Sequence, residues 1–277
     1  MAASTVESVP FSAPVPPCMP VSGEDVLPIR RKLTIIIPCY NERGTIAEII
    51  RRVKELPVDA SILVIDNCST DGTRELLRSS CTDERVLIGG RRAEPLIKGQ
   101  SILCGDGFQV VLQPRNVTKG ASVRLGLALA NSEYVICQDA DLEYEPRDML
   151  RLLEWAERTG DVAVFGSRLT DRSKLDWNAF QFGRTGLTVL FRMLYGTKIT
   201  DVATCYKLMR TDVVRELALR SSGFDLDFEI PARLRRRGYA IAELAVEYHP
   251  RTSAQGKKIR WRDGLSAAWV LLKTRIS

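Results

Sequence analysis

Asp139 and Asp141 stand two positions apart, directly after the apolar run Tyr134-Val135-Ile136-Cys137. Two carboxylates at i and i+2 beyond a strand end can share one hard cation. Mg2+ and Mn2+ prefer such oxygen ligands, and Mg2+ is usually held by one or two carboxylates completed by phosphate oxygens. The ion would neutralise a diphosphate and make it a better leaving group. Paired aspartates also occur in ordinary solvated loops; Glu143, two residues on, strengthens the metal reading. Asp66 ends a second run, Ile62-Leu63-Val64-Ile65. There it could accept hydrogen bonds from a ribose or base, or act as a turn residue, since Asn67, Ser69, Thr70, Asp71 and Gly72 are all turn and capping formers. Pro38-Cys39-Tyr40-Asn41-Glu42 follows a third run. Tyr40 could stack on a base and Glu42 accept hydrogen bonds from it, although alone this is an ordinary strand-to-helix turn.

The elements that must position these groups are legible in the pattern. Leu33-Thr34-Ile35-Ile36-Ile37 is a β-branched run of the kind buried on both sheet faces. Ile46, Ile49, Ile50 and Val53 fall on one face of a helix over 43–56. Strands over 61–65, 108–112, 134–137 and 162–165 alternate with helices starting at Asp71, spanning Lys119 to Ala130, and following Pro146. That alternation predicts an α/β fold, a mostly parallel, doubly wound, Rossmann-like sheet with helices on both faces. Ligands of such sheets bind at the carboxyl ends of the strands, where the three motifs fall. Residues 89–107 read as a loop insertion and residues 1–28, rich in Pro, Ser, Val and Ala, as a disordered leader. The domain is expected over 29–262, with a C-terminal amphipathic helix over 263–277. That helix and the stretch Trp177 to Tyr195 either pack on the sheet or dip into a membrane surface.

Composition narrows the classes. The chain has 277 residues, 45% hydrophobic and 27% charged, ordinary for a globular protein. A net charge of +6 suits an anionic partner without choosing it. Aromatic and basic residues do not interleave, so nucleic acid is not expected. One histidine, His249, nearly excludes a zinc site or a histidine-based triad. Cys39, Cys68, Cys137 and Cys205 read as reduced thiols of a cytoplasmic protein. No apolar run reaches the roughly 18–20 residues that span a bilayer.

Taken together, Pro38-x-Tyr40-Asn41-Glu42, the Asp66 segment through Thr73, and Gln138-Asp139-Ala140-Asp141-Leu142-Glu143-Tyr144-Glu145-Pro146 resemble the family 2 glycosyltransferases of the GT-A fold. The similarity is greatest to the dolichol-phosphate mannosyltransferase-like, or polyprenyl-phosphate glycosyltransferase, group. Asn116-x-x-Lys119-Gly120-Ala121 and Gly166-Ser167-Arg168 also match, and the resemblance covers roughly 33–262. It implies a nucleoside pocket of Pro38, Tyr40, Glu42, Val64 and Asp66. It implies a donor site that includes Lys119 and Ala140, with Mg2+ or Mn2+ on Asp139, Asp141 and Glu143. Arg168 would face the phosphates, and Arg251 and Lys257, on a flexible loop, would close on them. Asn67 departs from the pattern, standing where the family has a second aspartate.

The implied reaction is inverting: an acceptor oxygen displaces the nucleoside diphosphate from a hexose of a GDP-mannose or UDP-glucose type donor. Asp141 is implied in catalysis through the metal. A polyprenyl (dolichyl or undecaprenyl) phosphate acceptor needs no base, whereas a hydroxyl acceptor would require one, for which Asp227 and Glu229 are the candidates. Asp201 is a further acid near the acceptor. The expected setting is cytoplasmic, extending to the cytoplasmic membrane face, with a membrane subunit or a second copy as partner. A sugar-phosphate nucleotidyltransferase or an NAD enzyme would need a Gly-rich loop after the first strand, where Pro38 to Glu42 stands instead. A non-catalytic module would be free to lose the cations that this chain keeps.

Overall fold

The computed structural model describes residues 31–86, 101–168, 179–250 and 261–276. Its first strand, β1 (Leu33–Cys39), is buried almost throughout because it has a hydrophobic cluster on each side. Ile35 and Ile37 point into one cluster and Ile36 into the other, as strand alternation requires. On the first side lie α1 (Ile46–Lys54), α2 (Thr73–Ser79) and α4 (Asp148–Thr159). On the second lie α3 (Lys119–Leu129), α6 (Thr211–Glu216) and α7 (Leu226–Arg236). Helices therefore cover both faces, as the alternation predicts. The face of α1 formed by Ile46, Ile49, Ile50 and Val53 is buried, contributing about 1.5–3 kcal/mol per side chain. Pro146 leads the opening turn of α4, accepting a bond from the Met149 amide.

The strands β2 (Ala60–Asp66), β5 (Phe108–Leu112) and β6 (Tyr134–Cys137) run parallel to β1 in the order β5-β2-β1-β6. The sheet is mostly parallel, as expected, and its flanks add antiparallel neighbours. β3 (Cys81–Val86) and β4 (Ser101–Gly105) extend one edge antiparallel. On the other side β8 (Lys207–Arg210) lies antiparallel between β6 and β7 (Ala163–Ser167), and β9 (Ala242–Ala245) is parallel to β7. The expected insertion at 89–107 is corrected in part, because Ser101–Gly105 pairs residue for residue with β5. Its apolar centre Ile102-Leu103-Cys104 is buried, so it belongs to the sheet. Residues 87–100 of that expectation, and the leader 1–28, lie outside the described residues.

Two further helices, α5 (Ala179–Tyr195) and α8 (Trp261–Ile276), pack on α7 through a third cluster of Phe191, Tyr195, Phe228, Ala232, Ala267 and Leu271. The Tyr195 hydroxyl donates to the Leu271 carbonyl at 2.7 Å, pinning α5 to α8. Two glycines of α3 mark close approaches. A Cβ on Gly126 would lie 2.4 Å from Ile36 of β1, and one on Gly120 would lie 2.4 Å from the backbone oxygens of Ser222 and Gly223. Gly120 thus lets the start of α3 reach the 222–223 loop, where the Ala121 amide donates to the Ser222 carbonyl.

Candidate active site

The carboxyl ends of β1, β2 and β6 open into one cleft of about 390 Å3. Pro38, Cys39, Tyr40 and Glu42 enter it from the end of β1, Asn67 from the end of β2, and Asp139, Ala140, Asp141 and Glu143 from the segment after β6. Lys119 joins from the start of α3, Arg168 from the end of β7, and Asp227 from α7. Groups spread over nearly 190 positions of sequence thus share one cavity.

The backbone around the cleft is held in costly conformations. Asn41, Cys68, Thr118 and Leu142 all have φ between 55° and 82°, the left-handed region that costs side-chain-bearing residues roughly 1–3 kcal/mol. Each adjoins a residue that lines the cleft: Tyr40, Asn67, Lys119 and Asp141. Local bonds hold them there. The Asn41 amide donates to Ser69 Oγ at 3.0 Å, and Asn41 Oδ1 accepts the Thr70 amide at 2.8 Å. The loops after β1 and β2 are thereby tied into one unit.

Lys119 Nζ lies 2.6 Å from Asp139 Oδ1. Burial pushes the Asp139 carboxyl up, but the Lys119 ammonium more than reverses this and holds it below the usual carboxylate range. The Asp141 carboxyl moves the other way. Burial, followed by the charges of Asp139 and Glu143, pushes its carboxyl up to about 7. Negative charge is therefore crowded at this end of the cleft. Crowded hard oxygen donors fit a divalent ion held by the aspartates and completed by phosphate oxygens. Glu143, the third expected ligand, lines the same cleft, where its Oε2 accepts the Tyr248 hydroxyl at 2.8 Å. Among the described residues, no group of three acidic, cysteine or histidine side chains forms a metal cage.

Arg168 is fixed by Asp201, which is fully buried. Nε and Nη2 donate to the two carboxylate oxygens at 2.6 and 2.8 Å, and the Arg168 amide adds a third bond at 3.2 Å. Burial depresses the guanidinium pKa, but Asp201 outweighs it and raises the value well above normal, so the charge persists. The guanidinium also sits over the Tyr248 and Tyr144 rings, 5.2 and 5.9 Å from their centroids. Asp201, expected near an acceptor, anchors this arginine. Asp227 lines the cleft and pairs with Lys207, 3.1 Å away and nearly inaccessible to solvent.

Three expected site residues do not line the cleft. Val64 is wholly buried and packs into the cluster shared with α1, as its strand position requires. Asp66 is also fully buried; it accepts Arg74 Nε at 2.6 Å and the Ser69 amide at 3.3 Å. It shapes the loop, and its neighbour Asn67 faces the cleft, with Nδ2 donating to Asn116 at 3.0 Å. Glu229, only 3% exposed, accepts the Arg220 and Ser221 amides at 2.9 and 2.7 Å and Arg233 Nε at 2.6 Å. It closes the 220–221 turn onto α7 instead of entering the cleft. Arg251 and Lys257 lie outside the described residues. Sequence reasoning missed Asn116, Phe224, Cys205 and Tyr248 as lining residues. Only Asn116 carried a signal, as the first residue of the Asn116-x-x-Lys119 match. None of Cys39, Cys68, Cys137 and Cys205 is in a disulfide.

Comparison with known proteins agrees with this geometry. The sequence model described as glycosyl transferase family 2 matches residues 34–218. An undecaprenyl-phosphate mannosyltransferase of Micrococcus luteus is 24% identical over 262 residues, covering 88% of this chain and 99% of that protein. A polyprenol monophosphomannose synthase of Mycolicibacterium smegmatis is 27% identical over 241 residues, covering 83% of each. Among solved structures, glucosyl-3-phosphoglycerate synthase of Mycobacterium tuberculosis, in complex with Mn2+, UDP and glucosyl-3-phosphoglycerate, has a similar fold. Its TM-score is 0.59 at 17% identity, over 88% of this chain and 80% of that one. With the family match spanning both strand-end motifs, the aspartate pair and Arg168, this chain belongs to glycosyl transferase family 2 and is a glycosyltransferase.

Proposed function

We propose that the enzyme moves a hexose, with inversion, from a nucleotide sugar of the GDP-mannose or UDP-glucose type to a polyprenyl phosphate, in the presence of Mg2+ or Mn2+. The observation that carries this reading is the cleft itself, in which Tyr40, Glu42 and Asn67 stand at one set of strand ends and Asp139, Asp141 and Arg168 at another. The first group suits a nucleoside and the second a diphosphate. A divalent ion on Asp139 and Asp141 would supply charge neutralisation for the departing diphosphate.

The chain's own residues have separate tasks. Tyr40 offers a ring to the base and Glu42 an acceptor for its N–H groups. Asp139 and Asp141 would hold the ion, while Lys119 keeps Asp139 ionised. Arg168, held rigid by Asp201, presents a fixed cation to the phosphates, so no reorganisation is needed as charge develops. The acceptor oxygen attacks the anomeric carbon as the bond to the diphosphate breaks. A phosphate acceptor is already anionic and needs no base. The names of the Micrococcus and Mycolicibacterium relatives support that acceptor.

A hydroxyl acceptor is the second reading, favoured by one observation: Asp227 offers a carboxylate to the cleft. The two are separated by turnover. With GDP-mannose or UDP-glucose, Mn2+ and undecaprenyl phosphate, a lipid-linked hexose is expected, and Asp227→Asn should lower its rate less than ten-fold, since general bases typically contribute about 10^2–10^4. Transfer confined to a hydroxyl acceptor, with Asp227→Asn losing two orders or more, would replace the first reading with the second. No transfer from any nucleotide sugar would defeat both.

A further inference from the structure

Helix α8 is apolar on two opposite sides. One side, with Ala267 and Leu271, is buried against α5 and α7. The other carries Leu265, Trp269, Leu272 and Ile276, which are 62%, 65%, 40% and 85% exposed. At 3.6 residues per turn these four positions fall within about 60° of one another, facing away from the buried side. Helix α5 repeats the pattern. Phe191 and Tyr195 are buried, while Val189 and Met193 are 44% and 71% exposed on the outer side. Scattered apolar surface residues need no explanation, but two aligned stripes on helices packed together do.

The charges beside the stripes are of one sign. Lys273 and Arg275 are exposed on α8 and, at 3.6 residues per turn, flank its stripe at about 80° on either side. Arg192 is exposed on α5, which has no acidic residue. Asp263, the one acidic residue of α8, falls at about 160° from Leu265, on the buried side of the helix. A tryptophan-bearing apolar stripe rimmed by cations matches the boundary between acyl chains and anionic headgroups. A second copy of the chain suits the face poorly, because two-fold pairing would bring Lys273, Arg275 and Arg192 against their own like charges.

The geometry points to the outer face of α5 and α8 as a docking surface for an anionic lipid bilayer. No described helix is long and apolar enough to cross a membrane, so the contact is interfacial. Helix α5 also runs toward the Arg168–Asp201 pair. Arg184, about two and a half turns before Met193, is buried and within electrostatic reach of Arg168 and Asp201. The surface therefore holds the cleft close to the headgroups. Docking of this face stands whichever acceptor the cleft serves; that it brings the enzyme to a polyprenyl phosphate rests on the proposed function.

The test is flotation of the full chain with vesicles of phosphatidylcholine, with and without phosphatidylglycerol. Binding is expected to the phosphatidylglycerol vesicles and to weaken at high salt. Trp269→Ser with Ile276→Ser should lower partitioning on the order of ten-fold or more, from lost apolar burial. Lys273→Gln and Arg275→Gln should each lower it about five-fold. These side chains are exposed, so thermal midpoint and stabilisation by nucleotide sugar should not change. Equal affinity for neutral and anionic vesicles, no affinity for either, or variants that bind as well as wild type would overturn the surface. So would a dimer in sedimentation that Trp269→Ser dissociates, which would assign the face to a second copy. Loss of vesicle binding by variants that nucleotide sugar still stabilises supports the surface, while vesicle binding without any nucleotide-sugar response leaves it intact and removes the proposed donor.

Discussion

The cleft and the α5–α8 layer are built on opposite principles. Around the cleft, several charges are buried and paired: Arg168 with Asp201, Lys119 with Asp139, Asp66 with Arg74, Glu229 with Arg233. On the outer face of α5 and α8, apolar side chains are exposed and cations stand at the rim. Buried charge in the first region resists substitution, because removing one partner leaves the other uncompensated. The second region has no such constraint and depends on what covers it. Substitutions near the cleft should therefore change both folding and chemistry, whereas substitutions on the outer face should change neither.

The largest effect on chemistry is expected at Asp141. Asp141→Ala should lower turnover on the order of 10^3-fold or more, since charge neutralisation by a bound ion is worth several kcal/mol. Turnover should also cease to respond to Mn2+ and EDTA. Normal, EDTA-insensitive turnover by this variant would remove the metal from the account. The largest effect on folding is expected at Asp201. Asp201→Asn strands a buried guanidinium and should cost about 3–5 kcal/mol in denaturant unfolding. A cost under about 1 kcal/mol would mean that Arg168 is solvated or has another anchor.

Glu229 sharpens the comparison, because it reads as catalytic in the sequence and as structural in its contacts. Glu229→Gln should cost about 1.5–3 kcal/mol of stability while kcat of the folded enzyme stays within a few-fold. Its carboxyl is held below the ordinary value of 4.5: burial alone would raise it, but the Ser221 and Arg220 amides and Arg233 outweigh that. A depressed carboxylate contributes stability that is present above its unfolded value and lost as pH falls through its folded value. The stability gap between wild type and Glu229→Gln should therefore be constant at neutral pH and shrink below about 4.5. A gap that widens on acidification, or a fall in kcat of several orders with the fold intact, would return Glu229 to the chemistry. The smallest effect belongs to the other region: Trp269→Ser should shift unfolding by less than about 0.5 kcal/mol.

What the sequence made legible follows the same division. Strands β1, β2 and β6 and helices α1, α3 and α4 could be read because each carries its own periodicity. Tyr40, Glu42, Asp139 and Asp141 could be read because they follow those strands immediately. Position within a strand is harder. Val64 and Asp66 share the strand with Asn67 beyond its end, yet only Asn67 faces the cleft, and one residue of register decides this. Strand β8, Lys-Leu-Met-Arg, is too short and too charged at its ends to stand out. It exists because β6 and β7 leave a place between them. Tyr248 arrives from beyond β9, and no local pattern announces it.

The central claim is that the cleft is a nucleotide-sugar site completed by a divalent ion. The most direct measurement is thermal unfolding of wild type and Asp141→Ala with GDP-mannose or UDP-glucose, each with and without Mn2+. Ligand present at about a hundred-fold its Kd adds roughly 2.7 kcal/mol of stability. The account predicts a rise in Tm for wild type with at least one nucleotide sugar, dependent on Mn2+ and absent in Asp141→Ala. A rise of equal size in both proteins, or in wild type without any divalent ion, would contradict it.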